Sequence, residues 1–333
     1  MRNKLNKLIA LLNEEGISAV LFKIFSLVKV KDISLFTSYP PFSSVEPSLL
    51  EKFLGIIVIP IVLILRLFSF IRPIRYGRIY TGRIGHFVVD VDQYLIEKKN
   101  QGFKSIDLFH YSDGFAANSY MNELTKRYLR LSYFNRYLFL ANSYLPNSRK
   151  YKIENSYDKN GSRDIKNLYQ TYGPQLAFTE SEKLKGESFL ANIGCFDKKF
   201  VCLQVRDSAF IGANDQDDCR DSEIDDFKEA SIALSKKGYT VIRLGKIVNK
   251  EFNVDSPKVF DYATSGERTD FLDIWLCANC SFCISTSSGI DAVAVAFRRP
   301  VVKVNVGTPI GYIDSSSHKY SMWQSKTYRR NNE

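Results

Sequence analysis

The stretch SFCISTSSGIDAVAVAFRRPVVKVN, residues 281–305, decides the fold. Its first five residues predict a short buried strand, the next four form a turn, and residues 290–298 have a helical pattern. Pro300 then opens a second apolar strand. Strands that alternate with helices of this length form right-handed βαβ units, so this stretch predicts a parallel sheet.

The same alternation extends upstream. Further strands are predicted at residues 200–205, 240–244 and 259–262, and further helices at 222–237 and 270–280. Gly238 directly follows the first of these helices, as expected for a residue that ends a helix. The pattern predicts a C-terminal Rossmann-like domain over residues 185–333.

The first half of the chain shows a similar but less regular alternation. Residues 147–164 are polar and rich in tyrosine, which predicts an irregular loop, and residues 179–189 predict the crossing between domains. We therefore expect a second Rossmann-like domain over residues 73–184, in an α/β fold. Its strands are predicted at residues 75–80 and 104–111, and its helices at 87–99, 116–131 and 133–145.

Residues 1–72 are predicted to form a helical, membrane-associating region. Residues 4–30 have apolar positions at helical spacing, so this helix either lies in a lipid interface or packs on the protein body. Residues 53–71 carry a single charge, Arg66, and are long enough to reach across a bilayer. Pro60 and Arg66 favour a monotopic or re-entrant helix over a span, and a buried core helix is the third option.

The positive charge lies in the same half of the chain as the apolar segment. The formal net charge is +10; residues 1–180 hold 25 Lys/Arg against 15 Asp/Glu, and residues 181–333 hold 21 of each. Basic residues attract anionic headgroups, and the sequence has no zinc-finger, helix-turn-helix or aromatic RNA-binding motif. We therefore expect an anionic membrane surface and no nucleic acid as a partner, with the chain peripheral, monotopic or single-span at the cytoplasmic face of the inner membrane.

Six cysteines, all in the second half, lie mostly within apolar runs and predict reduced, buried thiols. Cys277, Cys280 and Cys283 have CxxCxxC spacing, but no fourth ligand lies nearby in the sequence, so no metal site is predicted there. The acidic loop at residues 215–226 either binds a divalent cation or is simply solvated. Arg220 in this loop is placed to swing over a bound ligand.

Ligands of open parallel sheets bind outside the carboxyl ends of the strands. The residues predicted at those ends are mostly polar or glycine. They are Arg206, Asp207, Gly245, Lys246, Asp261, Tyr262, Thr286 to Gly289, and Asn305.

Two of these groups indicate an anion site. The turn at residues 286–289 offers hydroxyls and backbone N–H groups at a helix start, which suits a diphosphate; an ordinary helix cap is the alternative. Arg206 would point into the same crevice, and its guanidinium suits phosphate oxygens. For Arg206, a salt bridge to Asp207 or Asp221 is the alternative.

The first domain offers a general base. His86 lies at the predicted strand–helix turn, titrates near neutral pH, and suits proton abstraction from an acceptor hydroxyl; a structural histidine that caps the helix is the alternative. Asp90 and Asp92 are further candidates for the base, or solvated helix residues. Arg83 is placed to hold an acceptor phosphate.

The motifs GRIGHF, CLQVRDS, VIRLG, FDYA, DFLDIWLCANCSFCISTSSG and PVVKVN resemble a family of bacterial glycosyltransferases of surface carbohydrate biosynthesis. These motifs occur in the family's order between residues 72 and 307. The resemblance implies a GT-B fold, donor binding in the C-terminal domain and no obligatory metal.

The resemblance also implies the site residues. It agrees with His86 and Arg206 as catalytic residues and with Arg83 and His86 on the acceptor side. The end of strand 200–205 is similar to that of fucosyltransferases, whose arginine contacts the donor diphosphate, although this chain has Gln204 where that pattern has histidine. Family members usually continue into a C-terminal helical segment, which predicts a shortened chain here. The implied donor residues are Arg206, Asp207, Arg243, Asp261, Asp270, Ser285, Thr286, Ser287, Ser288 and Gly289.

These observations predict an enzyme that moves a sugar from a nucleotide-sugar donor to a cell-envelope glycan or lipid-linked acceptor. The nucleotide sugar is then a cosubstrate, and no cofactor is expected. Two alternatives stay open. One is the transfer of a pyruvyl or phosphoryl group to a polysaccharide, and the other is an inactive, membrane-bound assembly partner.

Overall fold

A computed structural model describes residues 47–102, 104–209, 221–306 and 321–325. The predicted helix at residues 4–30, Arg220 and the first half of the acidic loop at 215–226 lie outside the described residues. The helices, in chain order, are α1 (Leu49–Ile57), α2 (Ile59–Phe68), α3 (Ile84–Lys99), α4 (Ser119–Lys126), α5 (Asn135–Ser143), α6 (Ser156–Asn160), α7 (Leu168–Thr171), α8 (Glu180–Asn192), α9 (Lys228–Lys236), α10 (Asp270–Asn279) and α11 (Asp291–Ala296). The strands are β1 (Ile74–Ile79), β2 (Ile106–Tyr111), β3 (Arg130–Leu131), β4 (Lys152–Ile153), β5 (Phe200–Gln204), β6 (Thr240–Leu244), β7 (Val259–Asp261), β8 (Phe282–Ser285), β9 (Val301–Val306) and β10 (Met322–Ser325).

The chain divides into two compact units. Unit 1 comprises Met1–Gly82, Gln101–Ala117 and Thr125–Asn155. Unit 2 comprises Arg83–Asn100, Asn118–Leu124 and Ser156–Glu333. Helix α3 therefore belongs to unit 2, although it directly follows the first strand of unit 1. The domain boundaries predicted at residues 72 and 184 stay predictions.

Unit 1 contains a four-stranded parallel sheet in the order β3-β2-β1-β4. β1 and β2 pair along their whole length, and β4 pairs with β1 at Tyr76 and Gly77. Gly77 allows this close packing, because a Cβ atom at this position would lie 2.8 Å from the ring of Phe109. The predicted parallel sheet is thus confirmed for this unit.

Helices α1, α2 and α5 form the apolar core of unit 1 together with β1. Val58 and Val62 from the helix pair pack with Tyr76 of β1 and with Leu138 and Ala141 of α5. Burial is the main cause that raises the pKa of the Tyr76 hydroxyl above its ordinary value, so this phenol is neutral. The core therefore holds α1 and α2 against the body of the unit.

The apolar segment 53–71 is divided at Val58 into two short helices. α1 has 9 residues and α2 has 10, with Pro60 in the first turn of α2, where a missing N–H is tolerated. In the part of the chain that the structure describes, we find no helix that combines the length and apolar character needed to cross a membrane. The membrane association of residues 1–72 stays a prediction.

Unit 2 contains a six-stranded sheet in the order β10-β9-β8-β5-β6-β7, and every pair in it is parallel. This is the strand order of the doubly wound dinucleotide-binding fold. β5 and β6 are buried at every position, as continuous apolar runs in a parallel sheet should be. The predicted parallel α/β architecture is confirmed here.

The helices of unit 2 pack tightly around its sheet. α8 begins with a capping box in which the Thr179 hydroxyl accepts from the N–H of Glu182. Within α8, Gly186 lies against Trp275 of α10, and an added Cβ would meet the indole at 2.1 Å. α9 ends at Lys236, and Gly238, which follows its cap residue with a φ of +88°, confirms the predicted helix stop.

Three sequence expectations were wrong in detail. Residues 147–164 are not one irregular loop, because they contain β4 and α6. The helix predicted at 116–131 ends at Lys126, and β3 follows it. Strand β10 was not predicted at all. β3 and β4 have two residues each, which is too short to show the alternation by which a sequence reveals a strand.

Candidate functional site

The strand order of unit 2 reverses at β5. β6 and β7 lie on one side of β5, and β8, β9 and β10 lie on the other. Such a reversal opens a crevice at the carboxyl ends of β5 and β8, where ligands of doubly wound sheets bind. Arg206 and Thr286, which closely follow these two strands, therefore lie at the usual ligand position of this fold.

Two hydrogen bonds join these strand ends. The backbone N–H of Thr286 donates to the Gln204 carbonyl at 3.1 Å, and the Thr286 hydroxyl accepts from the Arg206 N–H at 2.8 Å. Thr286 is completely buried. The structure thus brings together two residues that the sequence predicted to form one site.

The Arg206 side chain pairs with an acidic residue beside the crevice. Its Nε lies 3.1 Å from Asp221 Oδ1, and the two side chains are 10% and 22% exposed. The Arg206 carbonyl accepts from the Ser222 N–H, and the Ser222 hydroxyl accepts from the Asn305 amide. The salt bridge considered as the alternative is present, and contact of Arg206 with a donor stays a prediction.

Buried charges fix the turn that contains the predicted residues Ser285 to Gly289. The Ser285 hydroxyl donates to Asp291 at 2.8 Å and accepts from the Ser288 N–H at 3.3 Å. Lys303, which pairs in register with Ser285, places its Nζ 3.7 Å from the other Asp291 oxygen. Both members of this ion pair are buried, so the turn has little freedom to move.

The turn also contains an unusual backbone conformation. Ser287 has a φ of +66° and is buried, and few non-glycine residues adopt the left-handed region. Such conformations cluster at ligand sites. The helix that follows, α11, has six residues rather than the predicted nine at 290–298. Buried polar contacts, more than a helix terminus, therefore define this turn.

The turn meets the start of α3 through two glycines. A Cβ atom built on Gly85 would lie 3.0 Å from the Gly289 carbonyl oxygen, and one built on Gly289 would lie 3.4 Å from the Gly85 nitrogen. The two backbones are thus in direct contact. As a result, His86, the candidate base, is next to a residue that touches the candidate donor turn.

His86 belongs to a short hydrogen-bonded series. Its Nδ1 lies 3.0 Å from the Ser162 hydroxyl, which donates to Asp90 at 3.3 Å. Asp90 is fully buried and is therefore not one of the solvated helix residues considered as an alternative. A carboxylate that acts on an imidazole through a hydroxyl can orient the ring and stabilise its charged form.

Asp92 makes contacts that join separate segments of unit 2. Its side chain accepts from the Gln175 N–H at 2.9 Å, and its other oxygen lies 2.9 Å from Nη1 of Arg298. Arg298 also donates to the carbonyls of Tyr172 and Gly173. Burial, opposed by Arg298, raises the pKa of Asp92 to about 6. This pair holds α3 to the segment before α8 and to the end of α11.

Arg243 and Asp261 form an ion pair within the sheet of unit 2. They occupy paired positions on β6 and β7, at 3.0 Å, and the Arg243 side chain is 1% exposed. Asp261 also accepts from the Phe252 N–H and from the Thr264 hydroxyl. The donor contacts predicted for these two residues stay predictions, and the proposal below does not depend on them.

Asp207 and Asp270 organise loops around the crevice strands. Asp207 accepts from the backbone N–H groups of Ala209 and Asn249. Asp270 accepts two hydrogen bonds of 2.7 Å from Ser119. Burial acts to raise the pKa of Asp270, but these hydrogen bonds keep it below its ordinary value. Arg83 has an extended backbone at the residue before α3.

The cysteines of unit 2 are packed inside it. Cys202, Cys277, Cys280 and Cys283 are buried, and burial raises the pKa of the Cys202 thiol well above its usual value. Within the described residues, no group of three or more His, Cys, Asp or Glu side chains is placed to hold a metal ion.

Sequence reasoning missed three residues that shape these turns. Asp113 follows β2 and accepts from the N–H groups of Thr81 and Gly82 in the turn before α3. The strand-end rule applied to β2 would have found it. Lys303 was detectable as a charge within an apolar strand. Ser162 carried no signal, because it lies far from His86 in sequence.

One comparison with solved structures agrees with this fold. No family model and no curated protein matches the chain. Among solved structures, a glycosyl transferase family 9 protein from Veillonella parvula has 10% identity and a TM-score of 0.50, covering 76% of this chain and 86% of that one. E. coli ADP-heptose LPS heptosyltransferase II has 15% identity and a TM-score of 0.46, covering 75% and 90%. The first of these shows that the chain has the fold of a family 9 glycosyltransferase structure.

The Thr286 hydroxyl should matter more to stability than its size suggests. We expect Thr286→Val, which keeps the shape but leaves the Arg206 N–H without its acceptor, to lower the free energy of unfolding by about 1–3 kcal/mol. Thr286→Ser keeps the hydroxyl and loses one methyl group, which costs about 1 kcal/mol. Urea denaturation of the three proteins tests this; a valine variant at least as stable as the serine variant would contradict it.

The raised pKa of Asp92 predicts a pH dependence of stability. Because the folded-state pKa of about 6 exceeds the ordinary value of 3.8, this carboxyl stabilises the fold below pH 4 and loses that contribution as the pH rises through 6. Relative to Asp92→Asn, we expect the free energy of unfolding of the wild type to fall by up to about 3 kcal/mol between pH 4 and pH 7. Urea titrations of both proteins across this range measure it, and a constant difference would refute it.

Proposed function

We propose that the chain is a nucleotide-sugar-dependent glycosyltransferase of the GT-B type. The observation that carries this proposal is the meeting of Arg206 with the turn at residues 286–289 at the reversal point of a doubly wound sheet. This position in such folds takes nucleotide ligands. The fold shared with a glycosyltransferase family 9 structure supports the same class of enzyme.

In the proposed reaction, an acceptor hydroxyl attacks the anomeric carbon of the donor sugar. The bond between that carbon and the diphosphate oxygen breaks, and the nucleoside diphosphate leaves with the electron pair. Charge grows on the leaving oxygen, so a cation placed beside it lowers the barrier. Arg206 supplies this cation, and the backbone and hydroxyls of the 286–289 turn bind the diphosphate.

His86 takes the proton of the acceptor hydroxyl. Because Nδ1 faces Ser162, we assign Nε2 as the nitrogen that receives the proton from the acceptor hydroxyl. The buried carboxylate of Asp90, acting through the Ser162 hydroxyl, stabilises the imidazolium that forms. Ser162 and Asp90 are therefore positioning residues. The acceptor class is an envelope glycan or a lipid-linked sugar, as the sequence motifs imply.

Asp221 gives the donor-site proposal a distinctive test. This carboxylate and the donor diphosphate would compete for the same guanidinium, because Asp221 pairs with Arg206. Arg206→Ala should weaken nucleoside diphosphate binding about 10- to 100-fold, since bonds to charged groups are worth about 1.5–3 kcal/mol. Asp221→Asn should instead tighten it, by up to about tenfold. Isothermal titration with ADP, GDP, UDP and CDP measures both effects.

A matched control separates binding from folding. Arg75 forms a comparable partly buried pair with Asp107 in unit 1, at 2.8 Å, so Arg75→Ala removes the same kind of contact elsewhere. Its nucleotide affinity should equal that of the wild type. Equal binding by the wild type and Arg206→Ala, or no nucleotide binding by either, would remove the donor site.

Substitution of His86 should affect turnover and leave donor binding intact. We expect His86→Gln to lower kcat about 10²- to 10⁴-fold, the usual contribution of a general base. The assay measures the release of nucleoside diphosphate from a sugar donor that carries the nucleotide bound most tightly in the titration. A cell-envelope lipid extract serves as acceptor. Unchanged kcat, or a loss of nucleotide affinity as large as the loss of rate, would contradict the role of His86.

A further inference from the structure

The two short helices of unit 1 and the turn after them expose many apolar side chains. We call this surface the helix-pair face, and it consists of the apolar side chains of α1, α2 and the following turn that are about half exposed or more. A soluble monomer seldom exposes a contiguous apolar patch of more than a few hundred Å². The members of the face are Leu49, Leu50, Phe53, Ile56, Ile57, Leu63, Ile64, Leu67, Phe68, Phe70 and Ile71.

Three polar side chains of this segment make contacts within unit 1. Arg66 donates to the side chain and carbonyl of Asn142 and to the carbonyl of Pro146, and it lies 4.4 Å from the centre of the Tyr151 ring. Glu51 caps α1 and pairs with Arg136. The Ser69 hydroxyl donates to a helix carbonyl. Two of the charges of this segment, Arg66 and Glu51, are therefore bound within unit 1, whereas Lys52 of α1 is exposed.

This separation favours a lipid over a protein as the partner. Protein interfaces carry about one hydrogen bond per 100–200 Å², whereas the members of the helix-pair face are all apolar and the exposed charged side chains beside them, Lys52 and Arg72, are basic. Helices of 9 and 10 residues extend only about 15 Å, too short for a hydrocarbon core of about 30 Å. Helices of this kind lie in the interface with their apolar side immersed.

The charge of unit 1 complements an anionic bilayer. From residue 47 to residue 155, this unit holds 13 Lys/Arg and 4 Asp/Glu, a net charge of +9. Each basic side chain near an anionic surface contributes about 1 kcal/mol of attraction. The exposed basic residues are Lys52, Arg72, Lys104, Lys126, Arg127, Arg130, Arg149, Lys150 and Lys152.

We infer that the helix-pair face inserts shallowly into the surface of an anionic lipid bilayer, with Arg66 and Glu51 kept inside the protein. The insertion is monotopic, and the basic residues of unit 1 bind the headgroups. The inference does not depend on the proposed catalytic activity, because it uses residues of unit 1 alone. Failure of nucleotide binding would leave it intact, and the reverse also holds.

Flotation of the full chain with vesicles tests the inference. We expect binding to phosphatidylcholine vesicles that contain phosphatidylglycerol, and weaker binding to phosphatidylcholine alone. The double variant Leu67→Ser, Phe70→Ser should bind about a hundredfold more weakly, since burial of each side chain contributes roughly tenfold. The control Leu184→Ser, Phe196→Ser changes residues of unit 2 that are 65% and 78% exposed, against 69% and 81% for Leu67 and Phe70. The control should bind as the wild type does.

A fluorescence measurement identifies what covers the face. In Phe70→Trp, brominated lipids should quench the new indole in anionic vesicles, whereas the indole of Phe196→Trp should not respond. Three results would overturn the inference. The first is an equal loss of vesicle binding in both double variants. The second is a Phe70→Trp emission spectrum that indicates a buried indole but does not respond to brominated lipid. The third is a dimer that light scattering detects without lipid and that Leu67→Ser, Phe70→Ser abolishes. The last two would assign the face to this chain's own N-terminal residues or to a second copy.

Discussion

Where parallel strands end, backbone N–H and carbonyl groups lose their hydrogen-bond partners in the sheet. In unit 2, one threonine supplies partners for two of these groups. Thr286 donates its N–H to the end of β5 and accepts the Arg206 N–H through its hydroxyl, inside a fully buried site. A buried backbone group without a partner is costly. The two strands that flank the reversal of strand order are therefore held at a fixed spacing, and the candidate site depends on that spacing.

Buried ion pairs extend this fixed geometry to the surrounding turns. Asp291 with Lys303 joins α11 to β9, Asp261 with Arg243 joins β7 to β6, and Asp92 with Arg298 joins α3 to the segment after α11. Such pairs add little net stability, since desolvation offsets their attraction. They instead fix the positions of the segments that they join. Each carboxylate also accepts hydrogen bonds from neighbouring backbone or hydroxyl groups, which sets the path of the chain near the crevice.

The sequence was sufficient for the parts of the fold governed by periodicity. Strands β5 to β9 of unit 2 and the joining of Arg206 to Thr286 follow from apolar runs and from the rule that ligands meet strand ends. Tertiary pairing was not predictable in the same way. The Asp92–Arg298 pair and the Ser162 contact of His86 join residues more than 70 positions apart, and two-residue strands such as β3 have no pattern. Apart from Asp221 beside Arg206, the sequence could name candidate side chains but not the partners that orient them.

The glycine contact between α3 and the 286–289 turn has a mechanical consequence. Gly85 and Gly289 touch through backbone atoms alone, with no side chain between them to rotate or compress. Because neither residue has a side chain that could move aside, a displacement of the turn toward α3 would push on that helix and on the imidazole beside Gly85.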